Sequence, residues 1–158
     1  MKTLVTLFAA IALMSVVPTA FAQDDSHLEL AQAVIAQVGG TELVLTEIEA
    51  SSPMIVGAFR ANIPDLTDEE GDQIMSFFME EMRALMPQFS ADYSAMIARH
   101  MTEADLREML NDPETTLDGR LTEITLLINN DANALGENYG AQAMTNALPR
   151  IQALIANR

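Results

Sequence analysis

The chain has 158 residues, 49% of them hydrophobic, with 23 acidic and eight basic residues and a formal net charge of −15. That balance lacks the basic footprint that nucleic acid demands, and anionic lipid headgroups repel it as well. There is no cysteine, which leaves no thiol for a disulfide or for lipid attachment.

Residues 1–22 read as a cleavable export signal. Lys2 supplies a short positive start, the run from Leu4 to Val17 is apolar, Pro18 breaks it, and Ala20-Phe21-Ala22 frames a cleavage point before Gln23. The apolar run is about 14 residues, short of the roughly 20 that a membrane-crossing helix needs. Cleavage leaves residues 23–158 as a single domain without an integral span, in the periplasm or secreted. Lys2 is the sole lysine, so seven arginines then face 23 acids and the formal charge becomes −16.

The remainder reads as an all-α bundle of about six helices. Ser26-His27-Leu28-Glu29 has the S-x-x-E spacing of a capping box, Thr67-Asp68-Glu69-Glu70 repeats it, and Thr102-Glu103-Ala104-Asp105 is its Asp variant. Gly39-Gly40 ends the first helix. Thr41 opens a second that reaches about Asn62, kinked at Ser51-Ser52-Pro53, and a loop follows to Leu66. A third helix runs from about Asp68 to Met86, a fourth from Pro87 to His100, a fifth from Glu103 to Asn111, and a long sixth follows Asp112-Pro113. Alternating β patterns, Gly/Ser linkers and internal repeats are absent from the sequence.

On the third helix Met75, Met79, Met82 and Met86 recur at spacings of four, three and four and share one face, widened by Ile74, Phe77, Phe78 and Leu85. Such a stripe reads as deformable core filler, as a pliable groove for an apolar ligand or partner helix, or as thioether ligands for Cu(I). Glu81 falls on the arc of Ile74 and Leu85, where a carboxylate needs a partner or an edge. On the fourth helix Phe89, Tyr93 and Met96 lead to His100, placed to serve the negative end of that helix. On the sixth, Asp131 lies between Ile128 and Leu135 on the apolar stripe. Either it projects into packing and requires a partner, or Asn129-Asn130-Asp131 interrupts the helix. Gly136-x-x-x-Gly140, aligned with Ala132, forms a small-residue ridge suited to a close helix crossing.

No catalytic motif emerges. A G-x-S-x-G elbow and a Gly-rich phosphate loop are missing, and two acidic stretches that imitate the start of a calcium loop, at Glu114–Gly119 and Asp131–Gly136, lack its closing glutamate. No cofactor and no metal site are expected.

The run Tyr93 to Leu106, followed by Asp112-Pro113 and by Leu135-Gly136-Glu137-Asn138-Tyr139-Gly140, resembles the bacterial family catalogued as domain of unknown function 2059. The resemblance covers roughly residues 60 to 150. Met109-Leu110, Thr115 and Asp105 depart from the family pattern, as in a divergent member. It implies an exported, mainly helical protein and brings no activity or catalytic residue with it. The expectation is therefore a non-enzymatic envelope module that binds a protein partner or an apolar ligand through Met75, Met79, Met82 and Met86, Glu81, His100, Asp131 and the Gly136/Gly140 ridge. The alternatives are a Met-rich copper protein or, further off, an acid-dependent hydrolase using Glu81 or Asp131 with His100.

Overall fold

The structure is a computed structural model that describes residues 25–157, apart from the side chain of Asp118. The proposed signal, residues 1–22, lies outside the described residues. Six α-helices and one short 3₁₀ turn make up the described chain: α1 (Asp25–Gln37), α2 (Gly40–Ala50), α3 (Ser52–Asn62), α4 (Asp68–His100), α5 (Glu103–Asn111), the 3₁₀ turn Leu117–Gly119 and α6 (Leu121–Ala156).

Helix starts follow local chemistry where the caps are strong. The Thr67 hydroxyl accepts from the Glu70 amide (3.2 Å), while the Glu70 carboxylate accepts from the Thr67 amide (2.8 Å). Thr102 and Asp105 repeat this reciprocal pair at 3.2 and 3.0 Å, so the first-turn amides of α4 and α5 are satisfied by side chains. Ser26 departs from expectation. It sits inside the first turn of α1, and its hydroxyl donates across to Glu103 on α5 (3.4 Å).

Between α1 and α2 the chain turns on Gly39 and Gly40, both left-handed at φ 101° and 57°. Side chains disfavour that conformation and glycine tolerates it. The second predicted helix is in fact two, because the chain breaks at Ser51 and Pro53 opens α3.

The third and fourth predicted helices are one. Pro87 lacks an N–H and leaves the Arg83 carbonyl without its helical donor, yet α4 runs unbroken for 33 residues. Buried Met82 and Met86 before the proline, and Phe89, Met96 and Ile97 after it, all pack into the bundle. Each such side chain contributes about 1.5–3 kcal/mol, so together they outweigh the roughly 3 kcal/mol that an interior proline costs. Likewise Asn129-Asn130-Asp131 does not interrupt α6, which is continuous for 36 residues and contains Pro149 as well.

Helices α4 and α6 are the antiparallel spine. The start of α4 meets the end of α6 in a cluster of Ile63, Leu66, Ile74, Ala147 and Ile151. Mid-spine, Phe78, Met79, Met82, Met86 and Phe89 pack with Tyr139 and Ala143. At the far end α1 and α5 close over Met96, Ile97, Met101, Leu106 and Ile124. Three polar ties run along the spine: Arg150 donates to Glu80 (2.8 Å), Tyr139 to Asp92 (2.6 Å), and His100 Nε2 pairs with Asp131 (2.8 Å). In each pair the two residue numbers add to 230 or 231, so one register holds along the whole seam.

Helices α2 and α3 lie against α4 as an outlying arm. Gly71 on α4 permits the close approach of Val56 on α3, because a Cβ at that glycine would stand 2.8 Å from Val56 Cγ1. Arg60 pairs with Asp68, and Arg83 donates to Glu49 (2.8 Å). Among the described residues no single helix is long and apolar enough to cross a membrane; α1 and α2 together have the composition for it, but they are bent by 47°.

Candidate functional site

The methionine stripe faces inward. Met75, Met79, Met82 and Met86 are 3–7% exposed and belong to the mid-spine cluster with Phe78, Phe89 and Tyr139. The stripe is core, as the first of its readings holds, and an open methionine groove is not present along it. An incoming copper ion would have to enter packed interior to meet these thioethers. Among the described residues no three His, Asp or Glu side chains are grouped as metal ligands.

Glu81 is an edge acid. Its side chain is 25% exposed and lies 4.0 Å from Arg150, which bonds Glu80 more closely and stacks over the Phe77 ring at 4.1 Å. Nineteen residues of continuous helix separate Glu81 from His100, about 28 Å along the axis. Asp131 bonds His100 directly, so the Glu81 and Asp131 carboxyls stand far beyond the roughly 10 Å that two glycosidase carboxylates span. The geometry removes that version of the hydrolase reading.

The structure does bring His100 and Asp131 together, at the edge of the spine rather than within the apolar stripe, where Ala132 packs in place of Asp131. One residue on, His27 of α1 donates from Nε2 to the Met101 carbonyl (2.9 Å). Both histidines of the chain therefore fasten the α4–α5 corner, one to α6 and one to α1. This pairing is structural in form: two hydrogen bonds that hold a corner shut.

The glycine ridge is corrected too. A Cβ on Gly136 or Gly140 would meet nothing within 4 Å, so no other described element crosses closely there. The Tyr139 side chain beside it points inward, edge-on to Phe89 at 5.3 Å between ring centroids, and Phe89 stacks on Tyr93 at 5.7 Å. Burial, then the hydrogen bond to Asp92 and the Asp92 charge, push the Tyr139 phenol up to about 12, and burial raises Tyr93 as well.

A surface depression lies elsewhere, between α2 and α4. On α2, Thr41 and Glu42 stand four and three residues before Leu45; on α4, Arg83, Met86, Pro87 and Ser90 recur at i, i+3, i+4 and i+7. These two faces line an open cavity of about 480 Å³, within the 300–1,000 Å³ range of ligand pockets. Leu45, Met86 and Pro87 are the apolar part of its lining, and Thr41, Glu42, Arg83 and Ser90 the polar part. Of the nine predicted site residues, Met86 alone lines it. The two residues flanking the missing helical hydrogen bond, Arg83 and Pro87, both belong to its wall.

Around this cavity the arm is unusually bare. None of the 11 residues of α2 is buried, although five of them are Leu43, Val44, Leu45, Ile48 and Ala50. Val38 and Leu43 at the α1–α2 corner are 61% and 54% exposed, and Met54 at the start of α3 is 74% exposed. Sequence reasoning missed this region because α2 carries the apolar spacing of a core helix; Pro87 inside an otherwise helical pattern was the signal available for its α4 side.

Comparison with protein-family models, with curated proteins and with solved structures gave no match.

Proposed function

We propose that this chain is an exported, non-enzymatic helical protein of the bacterial envelope that binds a protein partner through the α2–α3 arm. The observation that carries the reading is the set Val38, Leu43 and Met54, all exposed, on and beside α2, a helix with no fully buried residue whose Val44, Leu45 and Ile48 rest half-buried on the mid-spine core. Large apolar side chains left this exposed are costly in water, and where they gather they mark sites of association. The export signal at residues 1–22 supplies the address, and the resemblance to domain of unknown function 2059 agrees with it. The absence of a catalytic motif from the sequence, and the use of both histidines as corner fastenings, support a binding role over an enzymatic one.

A photo-crosslinking residue placed at Leu43 or Met54 in the native host tests the reading. Covalent adducts to a discrete protein are expected at both positions and not at Glu137, an exposed site on α6. No adduct at Leu43 and Met54, or the same adducts at Glu137, refutes it.

A further inference from the structure

We infer that the groove between α2 and α4 receives a basic amphipathic helix of the partner, an assignment that rests on the arm being the binding surface. The groove lies between two helices and is lined by one ridge from each, so its natural occupant is a third helix laid along the crevice with apolar side chains over Leu45, Met86 and Pro87. Its charge selects among such helices. Glu42 stands in the wall, and its carboxylate has no ion-pair partner among the described residues. The one cation in the lining, Arg83, is already paired with Glu49 (2.8 Å).

A second copy of this chain is disfavoured as occupant, because two molecules of formal charge −16 after export repel. An anionic bilayer is disfavoured for the same reason. A helix with leucines on one face and lysines or arginines flanking them matches the apolar lining and the unpaired Glu42 carboxylate.

The test uses two synthetic helices of about 18 residues, five turns, with identical leucine positions and either lysine or glutamate elsewhere. Each is labelled and titrated with the purified protein at about 0.15 M salt, where long-range attraction between exposed charges is largely screened. The lysine peptide should bind, and the glutamate peptide should bind at least about tenfold more weakly. Glu42→Arg combined with Ser90→Arg should cut affinity for the lysine peptide by at least about tenfold, with an unchanged melting temperature. Glu137→Arg should leave affinity within about twofold, as a remote exposed charge does.

Equal loss in Glu137→Arg would reduce the effect to general attraction between acid and base and overturn the assignment. So would equal binding of the two peptides, or no effect of the groove substitutions. A dimer in sedimentation that Glu42→Arg with Ser90→Arg dissolves makes the occupant a second copy. Flotation with phosphatidylglycerol vesicles, lost in the same variant, makes it a membrane. If the crosslinks at Leu43 and Met54 persist while the peptide result fails, the arm remains the binding surface and only the basic helix is wrong. If the crosslinks are absent, the functional reading itself falls.

Discussion

Gly71→Ala tests how closely the arm is clamped to the spine. Gly71 is the fourth residue of α4, and it faces Val56 of α3 across a close approach. Two effects of opposite sign compete there. Removing a glycine from a helix interior stabilises by about 0.5–1 kcal/mol, since alanine has less backbone freedom to lose. The new methyl, however, would lie 2.8 Å from Val56 Cγ1 and 3.8 Å from Cγ2. Val56 is buried, and a helical valine has one strongly preferred χ1 rotamer, so it does not simply swing aside. Overpacking of this kind costs about 1–3 kcal/mol. The clash wins, and the net effect is a loss of about 1 kcal/mol, or roughly 3–4 °C in Tm for a chain of this size.

A double-mutant cycle separates the terms. Val56→Ala alone removes two methyl-sized groups and costs about 1.5–2.5 kcal/mol. In that background the clash has gone, so Gly71→Ala should now stabilise by about 0.5–1 kcal/mol. The coupling between the two sites is then about 1.5–2 kcal/mol, within the range for residues in contact. Thermal unfolding followed by circular dichroism measures all four corners. Hydrogen exchange should also show α2 and α3 opening more readily in Gly71→Ala, with the α4–α6 spine unaffected. A rise in Tm for the single Gly71→Ala variant, or coupling near zero, would refute the close approach and with it the account of how the arm is held.

Three further outcomes follow from the packing. Burial alone would raise the Asp105 carboxyl, but the Thr102 amide and hydroxyl and the Arg120 guanidinium outweigh it and hold the pKa below the ordinary carboxylate value. A pKa lowered by folding stabilises the protein fully above the unfolded value of about 3.9 and loses that contribution as pH falls through the folded value. Asp105→Asn should therefore cost about 1–2 kcal/mol at neutral pH and flatten the decline of Tm with acid; an unchanged acid limb contradicts this. Tyr139→Phe should cost about 1 kcal/mol through the lost bond to exposed Asp92. With its phenol at about 12, raised above the unfolded value of about 10, Tyr139 contributes stability that is complete below pH 10 and lost as pH rises toward 12. Ultraviolet titration of the folded protein should show the higher phenolate step disappear in the variant. Met82→Ala should cost about 2–5 kcal/mol and Met82→Leu less than about 1.5; equal, small losses from both would mean the methionine face is not packed core.

What the chain discloses about itself depends on how far each signal must reach. The Thr67–Glu70 and Thr102–Asp105 caps act within four residues, so they are legible and the structure contains them. The inward methionine stripe is legible too, because helical spacing alone assigns it to one face. Pro87 and Asn129-Asn130-Asp131 mislead, since their local preference for a break is overruled by packing against residues more than 30 positions away. That error conceals more than two boundaries. With both helices continuous, the pair His100–Asp131 fixes a register that also places Asp92 opposite Tyr139 and Glu80 opposite Arg150. The information for the spine is present in the sequence, but it can be read only after the spine's continuity is granted. The arm is a different case. Leu43, Val44, Leu45 and Ile48 have the spacing of residues that get buried, and no local feature says otherwise. Val44, Leu45 and Ile48 are half-buried against the mid-spine core, and Leu43 is left 54% exposed: once α6 and α1 have covered α4, too little described chain remains to cover the outer side of α2. The apolar side chains that the described fold leaves most exposed, Val38, Leu43 and Met54, lie on the arm and its corner, and for this reason the arm, rather than the methionine face that the sequence advertises, is where the proposed partner is to be sought.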